Sequence, residues 1–141
     1  MSTKLIKPFI IAEIGNNHEG SFSVAKKLVV EAAKAGVDAV KFQTFDVQEF
    51  LNEDHKKFKL YKKFQLSKKQ FIDLSILTKK LRMKFISTPL DIKSSDFLSK
   101  IVDIFKIASG DNNFELLIEN VLKYKKKTLI STGLLNFREI K

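Results

Sequence analysis

The 141 residues are 44% hydrophobic with 13 phenylalanines, enough apolar material for one domain with its own core. There is no cysteine and only His18 and His55, which excludes disulfides and thiolate metal sites and argues against an all-histidine metal centre. The net charge of +10 comes from 26 Lys and Arg against 16 Asp and Glu, but only Arg82 and Arg138 are arginines and no zinc-finger or RNP-type motif accompanies them, so the lysines read as solvated helix faces rather than nucleic-acid contacts.

Strands and helices alternate along the chain. Pro8 to Gly15 is a short β-branched run ended by glycine and predicts a strand. A helix follows from about Ser23, with Val24, Leu28, Ala32 and Ala35 at helical spacing and Gly36 as its stop. Ala39–Thr44 is a second strand, after which a long polar stretch from Phe45 to Leu66 interrupts the rhythm; insertions of this size commonly carry function. Ser67 with Gln70 forms a capping-box pattern ahead of Phe71, Leu74, Leu77 and Leu81. The third unit is Lys84–Pro89 and a helix near Ser94–Ile101, with Phe97, Leu98 and Ile101 on its buried side. The fourth is Ile104–Ser109 and a helix from about Phe114 to Lys125, with Asn113 as its expected N-cap and Leu117, Val121 and Tyr124 in register. A fifth strand, Thr128–Gly133, leads into Asn136–Lys141, which starts like a helix. No apolar run approaches the roughly 20 residues of a membrane span, and Met1–Lys7 is not followed by a signal-peptide core, so a soluble cytoplasmic protein is expected.

This alternation predicts an α/β fold with a parallel sheet, as either a doubly wound sheet or a (β/α)₈ barrel. No G-x-G-x-x-G follows the first strand and no P-loop is present. The positions of polar residues favour the barrel. Glu13, Lys41 with Gln43, Thr88, Lys106 with Ser109, and Ser131 fall at or near the carboxyl ends of five successive predicted strands, the end on which barrels build active sites. Within Lys41-Phe42-Gln43 the polar side chains share one face and Phe42 takes the other. Strand-end Ser and Thr can be simple caps and turns. A lysine inside an apolar strand needs an anion, either a ligand shared by Lys41 and Lys106 or a structural ion pair with Glu13. Two ammonium groups among hydroxyls suit a small phosphate ester that also carries a carboxylate, and Glu13 could bind a hydroxylated second substrate or move protons.

Five blocks carry a family resemblance: Ala12-Glu13-Ile14-Gly15-Asn16-Asn17-His18-Glu19-Gly20, Val40-Lys41-Phe42-Gln43-Thr44, Phe85-Ile86-Ser87-Thr88-Pro89, Phe105-Lys106-Ile107-Ala108-Ser109-Gly110 and Leu129-Ile130-Ser131-Thr132-Gly133. Their order and spacing resemble the N-acetylneuraminate (sialic acid) synthase family. The resemblance implies a TIM-type barrel that condenses phosphoenolpyruvate with an N-acetylated amino sugar such as N-acetylmannosamine, releasing phosphate and forming a nine-carbon 2-keto acid. It implies that Lys41, Thr88, Lys106, Ser109 and Ser131 surround the phosphoenolpyruvate carboxylate and phosphate, and that Glu13 is catalytic and faces the sugar with Gln43 beside it. His18 and Glu19 are expected to order the first β-α loop, while Asn52, His55 and Tyr61 cannot be matched to family positions, so the sugar stays open among sialic, legionaminic and pseudaminic types.

The complete family enzyme uses a divalent metal, Mn or Mg, held by two histidines on later strands, and a small C-terminal antifreeze-like domain, and it can be a homodimer. Neither those later strands nor that C-terminal domain is found in this sequence. A TIM barrel runs to roughly 250 residues, so residues 1–141 are expected to be the N-terminal portion of one, about five β-α units of eight, unable to catalyse the condensation alone. Two other readings stand beside it. An aldolase-like phosphate-handling barrel would need Lys41 or Lys106 to form a Schiff base, and a non-catalytic basic module would show steeply salt-dependent binding to DNA.

Overall fold

A computed structural model describes residues 7–140. The signal-peptide reading of Met1–Lys7 falls almost wholly outside those residues. The elements run β1 (Ile11–Gly15), α1 (Phe22–Lys34), β2 (Ala39–Thr44), α2 (Val47–Phe50), α3 (Phe58–Phe64), α4 (Lys68–Lys80), β3 (Lys84–Pro89), α5 (Ile92–Leu98), β4 (Ile104–Ile107), α6 (Glu115–Leu122) and β5 (Thr128–Ile130). The five strands form one parallel sheet in sequential order from β1 to β5. Parallel neighbours require crossovers, and the helices supply them on one face. Among the described residues no helix is long and apolar enough to cross a membrane.

Strand alternation divides the apolar residues between two layers. On the helix side, Val40, Phe42, Phe85, Phe105 and Ile107 meet Ala25, Val29, Phe71, Leu74, Leu98, Leu117 and Val121 in the main core. The Phe42 ring lies 5.6 Å from Phe85 and meets Phe71 edge-on at 6.2 Å, favourable aromatic geometries. On the opposite face Ala39, Ile86 and Ile104, flanked by Ile11 and Leu129, form a thinner layer one residue pair below the strand ends. In β1 the pairing skips a residue between Glu13, opposite Lys41, and Gly15, opposite Phe42, which is a bulge.

Several boundaries differ from those the sequence predicts. Strand β1 begins at Ile11, and Phe9 and Ile10 are exposed. Helix α1 starts at Phe22 because the Ser21 hydroxyl accepts from the Val24 amide, and the buried stripe is Ala25, Val29 and Ala32, leaving Val24 and Ala35 to solvent. The predicted polar interruption at 45–66 holds helices α2 and α3 around a small second core of Phe45, Val47 and Phe58 with Phe50, Leu51, Tyr61, Phe64 and Leu90.

Helix α4 follows the prediction, with both hydrogen bonds of the Ser67–Gln70 capping box formed. Helix α5 starts at Ile92 rather than Ser94, since Asp91 is the cap, and it ends at Leu98 with Ile101 packing just beyond it. Asn113 is not the N-cap of α6; Phe114 occupies that position without a side-chain bond, and the helix ends at Leu122. Strand β5 stops at Ile130, so Thr132 and Gly133 belong to the following loop. Asn136–Ile140 is a turn in which Asn136 Oδ1 accepts from the Arg138 and Glu139 amides and Glu139 returns a carboxylate oxygen to the Asn136 amide. That exchange is the chemistry of a helix start.

Candidate functional site at the carboxyl ends of the strands

Above the Ala39–Ile86–Ile104 layer the inward positions of the strands become polar. Each follows from the period of two: Glu13 is two residues beyond Ile11, Lys41 beyond Ala39, Thr88 beyond Ile86, Lys106 beyond Ile104 and Ser131 beyond Leu129. The structure brings these groups together. Lys41, buried at 9% exposure, places Nζ 3.0 Å from Glu13 Oε2 and donates to Thr88 Oγ1 at 3.1 Å. The ion pair with Glu13, one of the two alternatives open for Lys41, is therefore formed. Lys106 donates to Ser131 Oγ at 2.5 Å and to the Ile107 carbonyl.

Among the described residues Lys106 forms no ion pair with a carboxylate. Desolvation, and then repulsion from the Lys41 ammonium, pushes its pKa below that of an ordinary lysine, with Glu13 opposing the shift. An anion arriving between the two lysines would relieve that repulsion. Ser109 lies in the loop after β4 and faces the Gly133 backbone, where an added Cβ would stand 3.0 Å from Ser109 Cβ. Asn112 binds the same loops together by donating to the Gly133 carbonyl at 2.8 Å.

Gln43 takes its place two residues beyond Lys41, level with Thr88, and accepts from Asn16 Nδ2 at 2.6 Å. Asn16 belongs to the first of the five blocks, but nothing in its spacing signals the bond to Gln43. Gly15, at φ +53°, makes the turn and leaves room for the Glu13 carboxylate, since a Cβ there would lie 3.1 Å from Glu13 Oε1.

His18 serves the loop, as expected. It is 1% exposed, accepts the Gly20 amide on Nδ1 at 3.1 Å and packs on Phe42; burial lowers its pKa. Glu19 adopts φ +49° in the same loop. Asn52 and His55 accept neighbouring backbone amides of Asp54 and Lys57, and Tyr61 sits in an aromatic cluster with Phe45, Phe50 and Phe64. Among the described residues no three His, Cys, Asp or Glu side chains gather as metal ligands. The described residues therefore do not fit the divalent ion that the resemblance implies.

Two grooves lie apart from the polar layer, one of about 420 Å³ lined by Asp46, Lys62, Gln65 and Ser67, the other of about 590 Å³ lined by Lys68, Lys93, Asp96 and Tyr124. The polar layer is the stronger candidate, because two ammonium groups, a carboxylate and hydroxyls converge there from five strands.

The model of the NeuB family matches residues 28–141. An uncharacterized protein of Methanocaldococcus jannaschii is 44% identical over 94% of the chain, and the N,N'-diacetyllegionaminic acid synthase of Campylobacter jejuni is 35% identical over 95% of it. The chain spans 40% and 45% of those two relatives. The crystal structure of an N-acetylneuraminic acid (sialic acid) synthetase from Leptospira borgpetersenii superposes with a TM-score of 0.89 at 33% identity, covering 99% of this chain and 52% of that one. The five-stranded parallel sheet with its helices is thus part of a TIM-type barrel.

Proposed function

The chain belongs to the NeuB family, and on that premise we propose that residues 1–141 are the N-terminal portion of a synthase barrel that condenses phosphoenolpyruvate with an N-acetylated amino sugar. The remaining barrel strands and a C-terminal antifreeze-like domain lie outside these residues. The observation that carries the reading is the convergence of Lys41 and Lys106 with Thr88 and Ser131 over an apolar floor.

Lys41 and Lys106 receive the carboxylate and phosphate of phosphoenolpyruvate, while Thr88, Ser109 and Ser131 donate to the remaining oxygens. Lys41 is then shared between the ligand and Glu13. C3 of phosphoenolpyruvate attacks the sugar aldehyde carbon with the enol C=C π pair, forming the new carbon–carbon bond; the carbonyl π pair goes to the aldehyde oxygen, which takes up a proton to become a hydroxyl, and C2 is left a cation. Water adds at C2 and loses one proton to leave a hydroxyl; that hydroxyl loses its proton to become the keto oxygen as the C2–O bond breaks and phosphate leaves with the bonding pair. Glu13, on the sugar side, is placed to take or return protons, and the fixed ammonium groups stabilise the departing phosphate with little reorganisation. In the family a divalent ion polarises the aldehyde; among the described residues no cluster of ligands for it is present.

Calorimetric titration of the chain with phosphoenolpyruvate tests the anion site. Lys106→Ala should weaken binding about tenfold or more, the loss of a charge-assisted contact. Unchanged affinity would remove Lys106 from the site. A second reading, a Schiff-base aldolase, is favoured by the lowered pKa of Lys106, and a lysine adduct trapped by borohydride would select it.

A further inference from the structure

The net positive charge is gathered at one place. The junctions that lead into β3, β4 and β5, residues 79–84, 99–103 and 123–127, hold nine of the 26 basic residues and one of the 16 acidic ones, so eight of the ten net charges stand on three short segments. Because β3, β4 and β5 are parallel neighbours, these segments lie side by side at the amino ends of the strands, opposite the polar layer. Eight of the nine cations are exposed and Lys126 is half-buried. Among the described residues none of them forms an ion pair with a carboxylate.

The segments are tied to each other. Lys79 Nζ donates to the Ile101 carbonyl at 3.1 Å and Lys126 Nζ to the adjacent Val102 carbonyl at 2.8 Å, so lysines from both outer junctions reach the middle one. Asp103, the single acid, accepts the Phe85 amide at 2.8 Å. Burial, and then the Lys79 ammonium, lowers the pKa of Lys126, with Asp103 opposing the shift. Asp38, bound to the Ile10 amide and Lys7, and Asp96, bound to the Tyr124 hydroxyl, mark the borders of the patch. Within those borders like charges are held close together, and such a surface attracts an extended negative one.

The chemistry of the patch favours one kind of partner. Its cations are eight lysines and Arg82, point charges suited to a diffuse negative surface rather than to bidentate reading of bases. Tyr124 is the one aromatic residue in the three junctions, and its ring stacks on Phe105, which leaves none to stack on a base. Only three to five residues separate each helix from its strand, so no long loop stands out of this end. Leu81 and Leu122, 36% and 56% exposed, adjoin Arg82 and Lys123 and add apolar side chains to the charged end.

We propose that the amino end of β3–β5 is a peripheral docking surface for an anionic lipid bilayer, held by attraction between its lysines and lipid phosphates, with Leu81 and Leu122 entering the headgroup region. Docked in this way, the polar layer at the carboxyl ends faces water and stays open. The proposal does not rest on the synthase reading.

The chain is sedimented at physiological salt with vesicles of equal parts phosphatidylglycerol and phosphatidylcholine, and with vesicles of phosphatidylcholine alone. It should pellet with the first only, and high salt should release it. Combining Lys80→Glu, Lys100→Glu and Lys127→Glu, one exposed cation from each junction, should weaken binding at least about hundredfold. Combining Lys56→Glu, Lys59→Glu and Lys62→Glu makes the same charge change on the excursion that follows the carboxyl end of β2, and should cost less than about fivefold. Equal losses in the two variants, no pelleting with the anionic vesicles, or tighter binding to duplex DNA or polyglutamate than to those vesicles at the same salt would each overturn the proposal. If the first variant fails to fold, glutamine at the same three positions replaces glutamate, and a loss below about tenfold overturns the proposal.

Discussion

Gly20 and Gly36 form a matched pair for measuring how firmly the α2–α3 excursion is docked. Both have positive φ, +83° and +75°, so alanine at either costs about 1–2 kcal/mol of backbone strain. Their surroundings differ: a Cβ at Gly36 meets nothing within 4 Å, whereas at Gly20 it would stand 2.0 Å from the Lys63 carbonyl oxygen and 3.0 Å from its carbon. Lys63 lies in the last turn of α3, so relief requires that turn to move by roughly 1 Å and loosen Phe58 and Tyr61 against Phe45. Overpacking of this kind adds about 1–3 kcal/mol. Gly20→Ala should therefore destabilise by about 2–5 kcal/mol and Gly36→Ala by about 1–2 kcal/mol in urea unfolding. Limited trypsinolysis should open at Lys62 and Lys63 in the first variant alone. Equal losses in the two variants would refute the idea that the Gly20–Lys63 contact seats α3.

Other outcomes follow from the same contacts. Because burial lowers the His18 pKa, the unfolded chain takes up the proton first as pH falls; the contribution of neutral His18 is complete above its unfolded value of 6.5 and is lost as pH drops through the lower folded value. His18→Gln should flatten urea stability against pH in that window, and an unchanged slope would dismiss His18 as its source. Asp91, 4% exposed, accepts from the Ser94 amide, the Ser94 hydroxyl and the Asp46 amide, so Asp91→Ala should cost about 2–3 kcal/mol in thermal unfolding. Phe42→Ala, which removes a fully buried ring between Phe71, Phe85 and His18, should cost about 3–5 kcal/mol, and a loss below 1 kcal/mol would mean the site collapses without a cavity.

The parallel sheet and the polar layer were legible in the sequence because both depend on short-range periodicity. Lys41, Thr88, Lys106 and Ser131 each stand two residues after an inward apolar residue, and that arithmetic survives without knowledge of tertiary contacts. Helix starts were less legible where two polar residues compete for the cap. Ser21 and Ser23, and Asp91 and Ser94, are chemically similar candidates, and a distant partner, Asp46 for Asp91, favours one of them; at α6 the expected cap Asn113 gives way to Phe114, which makes no side-chain bond. The α2–α3 core escaped notice because its aromatic residues pack on each other rather than on one helix face, which leaves no single period to detect. The pairing of Asn16 with Gln43 spans two strands and could not be read from either.

The bulge in β1 makes chain length, rather than residue identity, the controlled variable between the Glu13 carboxylate and the first turn. Counting upward from Glu13 opposite Lys41, a regular strand would bring Asn16 level with Thr44, a residue that turns toward the helices and hydrogen-bonds Ser87. The extra residue retards β1 by one step, so Asn16 comes level with Gln43 instead. Deleting a single residue between Glu13 and Asn16 would leave every side chain of the site present in the sequence yet put the two amides out of phase. Insertions and deletions there should be far less tolerated than substitutions.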